Sequence, residues 1–242
     1  DGLVAAYDFQ QGADPATLYD LSGNNHHGTI SGGATWTDEG LQLDGSTGYV
    51  NLGDLGSLSD GYTIIAVAKF GASDSGQVLF SRINSAINTK SDGAGLMIRK
   101  RTVQGDFNVM QYDGVGPTYL KSASRPDPIV DDWETIIVSA DGSTIELQLN
   151  QASPASSSSA SLMDHTGDYM LGKLSYTNSF WMNGTCGYLL VYDRPLSIGE
   201  KEAAYLAVRN EMALRGVSIP DLFRPMVVVS LDNGYKTDYT NA

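Results

Sequence analysis

Short apolar runs, many alternating with polar positions, recur from Leu3 to Tyr192, and turn signals close most of them before they reach helical length. A strand places successive side chains on opposite faces, so a period of two marks one buried face and one wet face. The pattern predicts strands at Leu3–Phe9, Leu41–Leu43, Tyr49–Leu52, Tyr62–Phe70, Gln77–Ile83 and Gly95–Arg99. It predicts others at Phe107–Tyr112, Thr118–Lys121, Trp133–Ala140, Thr144–Asn150, Tyr169–Leu171 and Cys186–Tyr192. Between them, Asp60-Gly61, Asp92-Gly93, Asp113-Gly114, Asp141-Gly142 and Asn183-Gly184 supply the left-handed backbone angles of tight turns. Ser153–Ser161, with six serines and one proline, predicts a solvated loop. Strands this short and this many imply a sandwich or jelly roll.

The period changes after Tyr192. Ser197-Ile198-Gly199-Glu200 has the spacing of a capping box, and Ala203, Leu206, Ala207 and Leu214 fall near helical spacing. Gly216 can take the left-handed conformation that ends a helix. The pattern therefore predicts one helix closing a β-domain over 1–216, a stiff linker over 217–225 bracketed by Pro220 and Pro225, and a new strand from Met226.

Charge narrows the partners. A net charge of -13 argues against nucleic acid, which needs a basic face, and against docking on anionic lipid. No apolar run approaches the ~20 residues of a membrane span. The single Cys186 excludes an internal disulfide framework. The chain opens at Asp1 without a signal-peptide pattern, which points to processing, a cloning boundary or a particle component released by lysis.

Two groups of residues carry a resemblance. Leu3–Phe9, Asp20-Leu21-Ser22-Gly23-Asn24-Asn25-His26-His27-Gly28-Thr29, Leu41-Gln42-Leu43-Asp44-Gly45 and Gly48–Gly53 come first, and Cys186–Ser197 with its Tyr-Asp-Arg-Pro-Leu-Ser ending comes last. Together they resemble LamG-like domains. The fold this implies is all-β: a concanavalin A-like jelly-roll sandwich of two antiparallel sheets with one C-terminal helix. Val227–Tyr235, with Ser230-Leu231-Asp232-Asn233-Gly234, resembles the first strand and first motif of a polysaccharide deacetylase (NodB homology) domain. That resemblance implies Asp232 as the base, with Asn233 where the family has a metal-binding aspartate. The His-x-x-x-His motif that would complete the metal site does not occur in these 242 residues.

Candidate chemistry follows. Calcium takes six to eight oxygens in flexible geometry, and the LamG-like resemblance implies a calcium site near the Asp20–Gly28 turn, with Asp8, Asp20 and Asn25 as ligands. The residues themselves leave a second reading open: Asp20, Ser22 and Asn24 capping their own turn. His26 and His27 read as turn residues. Tyr112, Tyr119, Tyr176, Phe180 and Trp181, at strand ends or loops, are candidates for stacking on sugar rings, against the alternative of filling the core rim. Arg82, Arg99, Lys100 and Arg101 form the main basic group, read as a solvated hairpin or a contact for an acidic glycan. Nothing resembles the facing carboxylate pair of a glycoside hydrolase.

These readings point to a noncatalytic glycan-binding or anchoring module of a larger extracellular or phage-borne carbohydrate-active protein, with a deacetylase as parent enzyme. Its partner would be a polysaccharide or cell-surface glycan. The alternative is a bacteriophage virion protein, of tail or capsid surface, whose jelly roll contacts other virion proteins.

Overall fold

The computed structural model describes residues 1–73, 75–83, 95–101, 106–112, 117–121, 132–150, 153–158, 162 and 167–219, with the side chains of 117–121 outside that set. In chain order the first strands are β1 (Leu3–Tyr7), β2 (Thr17–Leu18), β3 (Gly28–Ser31), β4 (Thr35–Thr37), β5 (Gly40–Asp44) and β6 (Tyr49–Gly53). The middle ones are β7 (Tyr62–Phe70), β8 (Gln77–Ile83), β9 (Gly95–Lys100), β10 (Phe107–Tyr112) and β11 (Pro117–Lys121). Then come β12 (Trp133–Ala140), β13 (Thr144–Leu149), β14 (Ala155–Ser158), β15 (Tyr169–Leu171), β16 (Asn183–Tyr192) and the helix α1 (Ile198–Leu214).

Two antiparallel sheets result. The first runs β14-β13-β12-β7-β16-β5-β4, with β1 also paired to β16, and the second runs β11-β10-β9-β8-β15-β6-β3-β2. Between them lies one core, to which β5 gives Leu41 and Leu43, β7 gives Ile64, Ala66, Ala68 and Phe70, and β10 gives Phe107 and Val109. The alternation of the sequence is thus the alternation of sheet faces. Where it breaks, the structure supplies a reason. A register shift between Val78 and Phe80 turns both Leu79 and Phe80 inward, as a bulge does. On β7, Ile65 and Val67 belong to a second apolar cluster under α1, so this strand is buried on both faces and reads as a continuous apolar run.

The helix forms where the capping box predicts. The Glu200 amide donates to Ser197 Oγ at 3.3 Å, and the Ser197 amide donates to Glu200 Oε2 at 2.8 Å. Its buried face differs from the predicted one. Tyr205, Val208 and Met212 pack on the first sheet, whereas Leu206 is 45% and Leu214 82% exposed. Alanines and leucines near helical spacing misplaced the stripe, because the residue that anchors it is an aromatic. The helix ends as expected at Gly216 (φ 75°), with the Val217 amide donating back to Met212 O at 3.1 Å. Val217 and Ile219 are buried in the cluster beneath α1, so the packed body continues through the first residues of the predicted linker.

Three other expectations change. The serine-rich stretch contributes the edge strand β14, paired with β13 from Thr144–Ser158 to Leu147–Ala155, instead of a loop throughout. Asn183-Gly184 opens β16 and does not turn a hairpin. Strands β2, β3 and β4 form in stretches where the pattern predicted no strand. The predicted strand at 226–242, with Asp232, lies outside the described residues.

Candidate functional site

The opening turn is built around one carboxylate. Asp20 is 7% exposed. Its Oδ1 accepts from the amides of Ala6 and Ser22, each at 2.9 Å. Its Oδ2 accepts from Ser22 Oγ at 2.7 Å and from the His26 amide at 3.0 Å. Burial pushes its pKa up, but these hydrogen bonds outweigh burial and hold the carboxyl below its ordinary value. Around it, the Asp20 amide donates to His27 Nδ1 at 3.0 Å and the Tyr7 hydroxyl donates to His26 O at 2.6 Å. Asp20 therefore caps its own turn and ties it to β1.

The residues expected beside it are placed differently. Asp8 accepts from the Gln10 amide at 3.1 Å, and its charge acts on Tyr188 and Arg215 on the helix side of the first sheet. Asn25 is exposed in a left-handed conformation (φ 62°). Among the described residues no three His, Cys, Asp or Glu side chains gather as a metal site. Asp44, which the sequence reading passed over, caps the β5–β6 turn in the same manner, accepting from the amides of Ser46, Thr47 and Gly48.

Four of the aromatic candidates, Tyr112, Tyr176, Phe180 and Trp181, gather at the outer face of the second sheet. The Gly172–Met182 segment lies against that face and closes on itself through the Met182 amide and Gly172 O at 2.8 Å. Ser81 Oγ donates to Lys173 O at 2.9 Å, Ser175 Oγ donates to Ile83 O at 2.9 Å, and Leu174 is fully buried against β8. So pinned, the segment presents Lys173, Tyr176, Asn178, Phe180 and Trp181. Lys173 is 8% exposed. Its Nζ lies 4.3 Å from the centroid of Tyr49 and 5.5 Å from that of Trp181, and donates to Asn178 Oδ1 at 3.0 Å. The two rings are 6.0 Å apart and tilted by 54°. A cation held by two π faces fixes both rings before any ligand arrives. Among the described residues no carboxylate pairs with Lys173 within ion-pair distance.

Of the four predicted ligand residues, Tyr176 and Trp181 are half-buried on this patch. Tyr112 is only 2% exposed, packed with Met97, Met110 and Leu174 beneath the segment, and supports the patch without presenting a ring. Tyr119 stands opposite Met110 in the pairing of β10 with β11, and its side chain lies outside the described residues. Tyr49 and Lys173 went unremarked in the sequence. The signal for Tyr49 was its place in β6, where Val50 and Leu52 point inward and Tyr49 must point out.

The basic group is no solvated hairpin. Arg82 is 4% exposed, stacked 4.7 Å from the Tyr169 centroid and donating to Gly56 O and to the Tyr169 hydroxyl. Lys100 is 6% exposed over the Phe70 ring, and Arg101 pairs with Asp106. Only Arg99, 5.9 Å from the Phe180 centroid, borders the aromatic patch.

No protein-family model matches the chain, and no curated protein matches it in sequence. Solved structures do match in fold. The binding domain of botulinum neurotoxin DC in complex with SialylT superposes with a TM-score of 0.65 at 10% identity, over 86% of this chain and 52% of that one. The botulinum neurotoxin type G receptor binding domain gives 0.62 at 13% identity, over 87% and 52%. A mutant of Trypanosoma rangeli sialidase displaying trans-sialidase activity gives 0.62 at 12% identity, over 87% and 33%. The chain spans about half the length of the toxin domains and a third of the sialidase. What it shares with all three is a jelly-roll sandwich.

Proposed function

We propose that this chain is a noncatalytic glycan-binding module and that the Tyr49–Lys173–Trp181 patch, flanked by Tyr176, is its sugar platform. One observation carries the reading: a nearly buried ammonium without a carboxylate partner among the described residues, clamped between two half-buried rings. Apolar faces of a pyranose stack on such rings, and an ammonium keeps donors for hydroxyl or carboxylate oxygens. An ammonium with no carboxylate partner among the described residues favours an acidic sugar. The structural neighbours include a receptor binding domain and a sialidase, which supports a glycan reading only at the level of fold; the chemistry has to come from this chain's own residues.

In this reading the module is LamG-like, belongs to a larger carbohydrate-active protein with a deacetylase as its enzyme, and works at an extracellular or virion surface. Titration calorimetry with sialyllactose and with lactose tests the platform. Sialyllactose should bind and lactose bind more weakly. Trp181→Ala should weaken binding about tenfold or more, the worth of one good aromatic contact. Equal affinity of wild type and Trp181→Ala for sialyllactose, or no binding of either sugar, would remove the proposal.

A further inference from the structure

The opposite face of the sandwich carries a row that the patch does not explain. Five residues of the first sheet are direct cross-strand neighbours: Thr35 faces Gln42, Gln42 faces Thr185, Thr185 faces Lys69, and Lys69 faces Trp133. They alternate with core residues Leu41, Leu43, Ala68, Phe70 and Cys186, so the row lies on the outer face, beside α1. Strands are about 4.8 Å apart, so the row sets a hydrogen-bonding or aromatic side chain at each such step.

Along its middle runs a cleft of about 340 Å³, lined by Thr37, Glu39, Gln42, Lys69, Asn183 and Thr185 among others. That volume lies within the range of small-molecule sites. Gly184 and Gly71 let the segments that line the cleft approach each other closely. A Cβ on Gly184 would lie 2.0 Å from Lys69 O, and one on Gly71 would lie 3.0 Å from Asn183 Nδ2.

Two features say what it would hold. Thr185 is 6% exposed and lines the cleft, where its hydroxyl makes no hydrogen bond to another described residue and is left open to the cleft's solvent. A hydroxyl facing the cleft with no protein partner can both donate to and accept from a ligand hydroxyl. Lys69 is neutralised: its Nζ binds Glu39 and lies 5.3 Å from the Trp133 centroid. The row thus offers hydroxyl, amide and a compensated ion pair with little net charge. That is the chemistry of hydroxyl recognition and is poorly suited to capturing an anion.

We infer that the outer face of the first sheet is a second binding cleft, taking a neutral sugar of an oligosaccharide, with Thr185 and Gln42 as its specificity-determining residues. It stands independently of the platform on the second sheet. Two such faces let one module bridge two chains of a polysaccharide or grip one chain with added avidity.

Amide-resolved NMR titration with maltohexaose and chitohexaose at millimolar concentration tests it, with sialyllactose as the acidic control. One or both neutral hexasaccharides should shift the amides of Gln42, Lys69, Gly184 and Thr185, and sialyllactose should leave them in place. Thr185→Val, which keeps the shape and removes the hydroxyl, should weaken this binding about tenfold. Thr185→Ser should retain it, and Trp181→Ala should leave it unchanged. Unmoved amides with both hexasaccharides, or equal affinity in Thr185→Val, would overturn the inference. Loss of sialyllactose binding alone would strike the other platform only.

Discussion

Replacing Asp20 by alanine should unfold more of this protein's stability than any other change in the opening turn. The side chain accepts four hydrogen bonds, three of them from backbone amides. A hydrogen bond to a charged group contributes about 1.5–3 kcal/mol, but water can replace some of it. Ser22 and His26 are half-exposed and would be partly rehydrated. Ala6, at 6% exposure, would be left with a buried donor unpaired in a strand of the core. Counting that amide in full and the others at a fraction gives a loss of about 3–5 kcal/mol. Asp20→Asn should cost about half as much, because one oxygen survives while the new NH₂ meets the donors that Oδ2 accepted from. Urea denaturation reads this as a lower midpoint at constant slope. The rival account, in which Asp20 holds calcium, makes a different forecast. An ion at a hundredfold excess over its dissociation constant would add about 2.7 kcal/mol, or roughly 5–10 °C for a domain of this size. We expect equal melting curves in calcium and in chelator for the metal-stripped protein. A calcium-dependent rise in wild type that vanishes in Asp20→Ala would refute the capping argument.

Two further outcomes can be checked. The carboxyls of Asp20, Asp44 and Asp141 all sit below their ordinary value in the folded state, and Arg194 with the Ser197 cap lowers Glu200 from 4.5 to about 2. A depressed carboxyl stabilises above its unfolded pKa and loses that contribution as pH falls through the folded one. Urea midpoints should therefore hold down to about pH 4.5, then fall toward pH 2, and Glu200→Gln should flatten part of that fall. Cys186 is fully enclosed beside Met182, and burial pushes its thiol far up. Ellman's reagent should leave the native protein unlabelled at pH 8 and react at once in denaturant; rapid native labelling would contradict that placement.

The sandwich was legible because its strands are short alternating or continuous apolar runs closed by turn signals, and β7, β8, β10 and β12 have the predicted bounds. What stayed hidden has identifiable causes. β2, β3 and β4 are two to four residues long and rich in Gly, Ser and Thr, so no periodicity can accumulate. Strand β14 is a string of serines with an alanine, held as a strand by its neighbour β13 and not by its own propensity. The buried face of α1 was hidden by Tyr205, whose hydroxyl makes it look indifferent. At the binding patch, Trp181 and Tyr176 could be read as ring-bearing loop residues, whereas Lys173 could not. Its role depends on the fold of Gly172–Met182 over β8, a contact between segments far apart in sequence.

Strand β16 becomes available late. It pairs with β7 along one edge and with β5 and β1 along the other, so among the described strands it joins the two halves of the first sheet. It is also the last of the strands described here, and β1 is the first. A ribosome would release β5 and β7 long before their shared neighbour. Pairings of such sequence separation close slowly, and the waiting edges invite the wrong partner. Folding of this module should therefore be an all-or-nothing event deferred to the emergence of Tyr192, with chaperone demand concentrated in that interval. A chain shortened ahead of Asn183 would leave β5 and β7 facing each other across a gap one strand wide.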